Sequence, residues 1–130
     1  MIDYEIKIFN VVYPKIAPLC AQNRFVSTQI ATPAALPCAS LFEMDNRTVR
    51  SLQSSTPTEN YAKVTYQLDV YAKGKAECRK VYAAADSALI ALNFTRVSGQ
   101  YINSADNAEV VRYAARYEAV IDPDGQIYRA

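Results

Sequence analysis

The sequence predicts an α+β fold: a mainly antiparallel sheet with two helices packed on one of its faces. Three stretches carry this expectation. Residues 61–72 and 109–121 each alternate side-chain character with a period of two. Between them, residues 75–92 place apolar side chains at three- and four-residue steps. Strands and helices do not alternate as parallel crossovers require, so the strands should pair antiparallel and the helices should share a face.

Taken in order, residues 2–20 carry Ile2, Ile6, Phe9, Tyr13 and Ile16 on one helical face, with Asp3 as the N-cap. Pro14 and Pro18 should kink or end that helix, because each removes a backbone donor and crowds the preceding turn. Residues 21–37, with Pro33 and Pro37, read as irregular, with a short strand near Ser27–Ile30. Ala39–Met44 is a short strand, and the polar run from Asp45 to Asn60 reads as a long loop, a length often reserved for functional segments. Arg47 and Arg50 on that loop suit either a partner contact or a solvated surface.

From Tyr61 to Ala72, Val64, Tyr66, Leu68, Val70 and Ala72 share one strand face, with Thr65, Gln67, Asp69 and Tyr71 on the other. Asp69 reads as standing alone on its face. Gly74 breaks the strand, and a helix follows in which Cys78, Val81, Tyr82, Ala85, Leu89 and Leu92 form the apolar stripe. Asp86 falls on its solvated side, and Asn93 sits at its C-terminus. Phe94–Asn103 is a strand in which Gly99 marks a bulge or a close approach. Ser104–Ala108 is a turn. Along Glu109–Ile121, Tyr113 and Tyr117 fall on the core face, whereas Arg112, Arg116 and Glu118 point outward. Asp122-Pro123-Asp124-Gly125 is a turn, and a short last strand follows it.

With 130 residues, 51% of them hydrophobic and 21% charged, the chain is expected to form one domain over residues 1–130. It contains no histidine, which removes Ser/His/Asp and Cys/His nucleophile systems and the histidine metal sites together. Three glycines, Gly74, Gly99 and Gly125, are too dispersed for a phosphate loop. Cys20, Cys38 and Cys78 form neither a disulfide framework nor a C-x-x-C pair, and read as partly buried thiols in a reducing compartment. The acidic start, Asp3 and Glu5, is unlike a signal peptide, and no apolar run is long enough for a membrane span, so a cytoplasmic product is expected. Fourteen basic residues against thirteen acidic ones leave a formal charge of +1, without the basic excess of a general nucleic-acid binder. No catalytic, cofactor or metal constellation rises above background. The Asp122/Asp124 pair is explained by turn chemistry. Ten tyrosines are the unusual feature, and they suit half-buried sheets and protein contacts.

The run Tyr66-Gln67-Leu68-Asp69-Val70-Tyr71-Ala72, the alanine-rich helix, Phe94-Thr95-Arg96-Val97 and Arg112-Tyr113-Ala114-Ala115-Arg116-Tyr117 together resemble the tail terminator (tail completion) proteins of long-tailed bacteriophages. Asp3-Tyr4-Glu5 and Asn23-Arg24-Phe25-Val26-Ser27 are similar to that family as well. The resemblance implies a structural virion protein without catalytic residues or cofactors. It implies a hexameric ring that caps the tail tube, halts its polymerisation and docks the head connector, with DNA passing through the lumen unread. Arg47 and Arg50 are the candidate tube or connector contacts. Asp69, Tyr71, Arg112, Arg116 and Glu118 are the candidate subunit interface. A head-closure or adaptor protein of the neck is the alternative, and a small ligand-binding α+β domain a more distant one.

Overall fold

A computed structural model describes residues 1–30, 33, 35–55, 58–103 and 110–130. It is α+β, with two helices and an open six-stranded sheet. Helix α1 spans Glu5–Ile16 and α2 Lys75–Ala91; the strands are β1 Phe25–Val26, β2 Cys38–Thr48, β3 Ala62–Ala72, β4 Thr95–Asn103, β5 Val111–Ile121 and β6 Ile127–Arg129. The order across the sheet is β1-β2-β3-β5-β4, with β6 paired to the end of β5. Among the described residues, only the two-residue β1–β2 ladder is parallel. The β4–β5 turn expected at Ser104–Ala108 lies outside the described residues.

β3 and β5 form the spine of the sheet, paired residue for residue from Ala62↔Ile121 to Ala72↔Val111. Their alternation settles which way the sheet faces. Val64, Tyr66, Leu68, Val70, Tyr113, Ala115, Tyr117 and Ala119 are buried beneath the helices, as the period of two predicts. Helix α2 presses Cys78, Val81, Ala85 and Leu89 onto them; its alanines allow that close approach. Asn93 ends α2 in the left-handed region at φ 70°, a position asparagine tolerates. Gly125 closes the β5–β6 turn at φ 87°, where Asp122 Oδ1 accepts the N–H groups of Asp124 and Gln126.

The structure departs from the sequence-based expectation in several places. Helix α1 buries Ile8, Val12 and Ile16; of the expected stripe, Ile2 and Ile16 are buried and Phe9 packs half-buried on the core, but Tyr13 is exposed and Ile6 is 78% exposed. The chain carries two overlapping apolar sets there, and the four-residue spacing of Ile8, Val12 and Ile16 is the one aimed at the core. Asp3 lies just outside the cap position and accepts the Glu5 N–H at 3.3 Å. Pro14 sits within the last turn, where it costs a single backbone bond. Next, the short strand expected at Ser27–Ile30 is displaced to Phe25–Val26, where Phe25 is buried and stacks on Phe9.

The largest difference is β2, which runs on to Thr48 through residues expected to be loop. A bulge at Met44 is the cause: Glu43 pairs with Tyr66, but Asp45 pairs with Thr65. Alternation therefore changes phase. Beyond the bulge Asn46 and Thr48 take the core side, where Asn46 Nδ2 donates to Ile2 O at 2.8 Å and Thr48 Oγ1 to Glu59 at 2.6 Å. Finally, Asp86 is half-buried rather than solvated, accepting the Tyr117 hydroxyl at 2.6 Å.

Candidate assembly surface

Among the described residues, no helix covers the second face of the sheet. Pleating brings there Lys63, Thr65, Gln67, Asp69 and Tyr71 from β3, Arg112, Ala114, Arg116 and Glu118 from β5, and Ser98, Gln100 and Ile102 from β4. Most of these side chains are polar or small, and charged groups recur along its length.

One end is built around Asp69. Its side chain is 0% exposed, and Arg112 reaches it diagonally across the β3–β5 ladder, Nε and Nη2 donating to Oδ1 at 3.2 and 3.0 Å. Gln67 Nε2 donates to both carboxylate oxygens, at 3.2 and 3.1 Å. A carboxylate taken out of water needs this number of donors. The Arg112 guanidinium also lies 5.8 Å from the centre of the Tyr71 ring. Tyr71 in turn donates its hydroxyl to Ile30 O at 3.2 Å, so Ile30 lies against this corner. Burial raises the Tyr71 pKa, with Arg112 opposing. Asp69 is therefore not alone on its strand face; it is the centre of a locked cluster.

The structure brings Asp69, Tyr71 and Arg112 together and sets the other nominated residues apart. Glu118 pairs with Lys63 at 3.3 Å, about 20 Å along the sheet at roughly 3.3 Å per residue. Arg47 is on β2 rather than a loop, both Nε and Nη2 on Asp45 Oδ2 at 2.9 and 2.7 Å. Arg50 opens a short 3-10 turn, Arg50–Leu52, and is exposed with no ion pair among the described residues. Both arginines thus lie at the β2–β3 end, away from Asp69. Arg116 stands between the two ends, exposed, with neutral Gln67 and Ser98 opposite it on the neighbouring strands.

Around Arg116 the face sinks into a depression of about 390 Å³, bordered by Gln67, Ser98, Gln100, Ile102, Arg112 and Arg116. Its floor is low because the residue between Arg112 and Arg116 on this face of β5 is the small Ala114. Gly99 has no room for a side chain: a Cβ there would collide with the Tyr113 hydroxyl, which Arg96 Nη1 holds at 2.8 Å. Of the two roles expected for Gly99, close approach is the one it plays, and the bulge falls two residues earlier at Val97. Sequence reasoning missed Gln67, Ser98 and Gln100 as residues that shape this surface. The alternation of β4 from Thr95 was the available signal, but a bulge inside the strand breaks it.

A family model described as tail completion protein gp17 matches residues 13–130. The chain belongs to this family. Tail completion proteins are structural components of the phage tail, so this chain is a virion tail protein rather than a member of a known enzyme family. The match spans every strand, α2 and the last turn of α1, and hence the whole helix-free face. No curated protein matches the chain. No helix is long and apolar enough to cross a membrane among the described residues.

Proposed function

We propose that this tail completion protein forms a hexameric ring that caps the tail tube, stops its polymerisation and offers the docking surface for the head connector. The family match over residues 13–130 is the observation that carries the reading. A formal charge of +1 supports a lumen through which DNA passes unread, since a strongly basic channel would retain it. In this reading the whole chain works as one domain, by shape and contact and without catalysis.

Arg47 and Arg50 are assigned to the tube or connector, being exposed at the β2–β3 end. The helix-free face is assigned to the subunit interface. There Asp69, Arg112, Tyr71 and Glu118, already paired within the chain, hold the surface in shape, while Arg116, with no ion pair among the described residues, keeps its charge for a contact from outside the chain.

Light scattering coupled to size exclusion, followed by mixing with purified tail tubes, tests the proposal. Rings of six subunits, free or on tube ends, and tubes that no longer elongate are expected. A chain that neither binds tube ends nor limits their length overturns the cap. A chain that binds isolated head connectors and ignores tubes would move the assignment to a neck adaptor.

A further inference from the structure

The two edges of the sheet are finished differently. At the β2 edge, β1 covers the first residues, the Glu5 carboxylate accepts the Glu43 N–H at 2.6 Å, and Asn46 ties down Ile2. The β4 edge has no comparable cover among the described residues. Among the described residues, no bond outside the β4–β5 ladder occupies a main-chain group from Arg96 to Asn103. Exposed edges are ordinarily blunted by charge, proline, a bulge or a covering segment. β4 has the Val97 bulge and Arg96 at one end, but Ser98-Gly99-Gln100-Tyr101-Ile102-Asn103 carries neither charge nor proline.

Beside that bare edge lies the depression around Arg116. Its lining holds two guanidiniums and no acid; Arg112 is neutralised by Asp69, and Arg116 has no ion pair among the described residues. A strand added to β4 would run about 4.8 Å beyond it. Its outward side chains would stand beside Ser98, Gln100 and Ile102, within reach of the long Arg116 side chain. Pairing two copies of β4 would bring two Arg116 side chains to one face with no acid between them.

We propose that β4 is a strand-addition edge for an extended acidic segment of a partner protein, whose main chain pairs with Ser98–Asn103 while a carboxylate meets Arg116 in the depression. Main-chain pairing supplies affinity in this mode, and side-chain pockets supply selectivity. Ser98 and Gln100 add neutral donors around the charge, as carboxylate recognition by arginine favours. The inference rests on the chain being an assembly subunit, but its test needs no phage particle.

Two capped peptides, one alternating Thr with Glu and one alternating Thr with Lys, are titrated into the labelled full chain while NMR follows its amides. The Glu peptide is expected to shift and protect the β4 amides and to bind about tenfold more tightly than the Lys peptide. Arg116→Glu should reverse that order, and Arg116→Ala should abolish it with the fold intact. Equal binding of the two peptides, or shifts confined to another surface, would overturn the proposal. So would equal binding of a single-stranded oligonucleotide, which would assign the site to phosphate. Protection of β4 that grows with chain concentration alone would assign the edge to a second copy. A chain that fails here yet caps tubes leaves the capping reading standing, and the converse also holds.

Discussion

Arg112 on β5 closes on the fully buried carboxylate of Asp69 on β3, with Nη2 3.0 Å from Oδ1, while its own side chain remains 27% exposed. The asymmetry matters, because the arginine can return to water and the aspartate cannot. Arg112→Ala should therefore cost about 3–5 kcal/mol, the penalty for leaving a buried charge uncompensated. Replacing both partners, as Asp69→Asn with Arg112→Met, should cost much less. Urea denaturation of the single and double variants checks this. Equal losses in the two would show that packing, not charge, sets the cost.

Gly99 is held in place by the Tyr113 hydroxyl above it. Gly99→Ala should destabilise by about 1–3 kcal/mol through overpacking. Adding Tyr113→Phe should recover only part of the loss, since the ring carbon Cζ, 2.8 Å from where the new methyl group would stand, still crowds it. Thermal denaturation of both variants measures the recovery.

Glu43 sits on the core side of β2 beside Tyr66, with Glu5 and Asp3 nearby. Burial, and then the two neighbouring acids, raise its pKa above the usual carboxylate value of 4.5, against the hydrogen bond from Asn46. A raised pKa means that the folded chain binds the proton more tightly than the unfolded chain. The ionised form therefore weakens the fold as pH climbs through the folded-state value. Glu43→Gln should raise the melting temperature at pH 7, and the gain should shrink as pH falls towards 4.5. Melting curves across that range give the sign directly.

Burial pushes the Cys20 and Cys78 thiols up to about 11, with the nearby Cys38 adding to the shift at Cys20. Burial also raises Cys38, and all three are free. At pH 8 the folded chain should react with a thiol reagent orders of magnitude more slowly than the urea-unfolded chain, which should release three equivalents. Rapid labelling of one thiol in the native chain would contradict the burial.

The parts of the fold legible in the sequence are those where one periodicity runs uninterrupted. β3 and β5 alternate over eleven residues each, and α2 keeps its stripe from Cys78 to Leu89. Legibility ends where a phase changes. At Met44 one extra residue turns Asn46 and Thr48 towards the core, so a strand looks like a polar loop. In α1 two apolar sets that share Ile16 overlap, and only the tertiary packing selects Ile8 and Val12 over Ile6 and Tyr13. The outward direction of Asp69, Tyr71, Arg112, Arg116 and Glu118 follows from alternation alone. Their partners do not: the Asp69–Arg112 bond joins residues 43 positions apart, and nothing local encodes that pairing. The β4 edge is invisible for a related reason, because strand order across a sheet is a property of the whole fold.

The proposed role, ending the tail and docking the head connector, should leave its mark on whole particles. Electron microscopy of particles assembled with and without the chain tests this most directly. Without it, tails should be overlong or unjoined to heads, and adding the purified chain should restore joined tails of uniform length. Tails of normal length attached to heads in its absence would contradict that role.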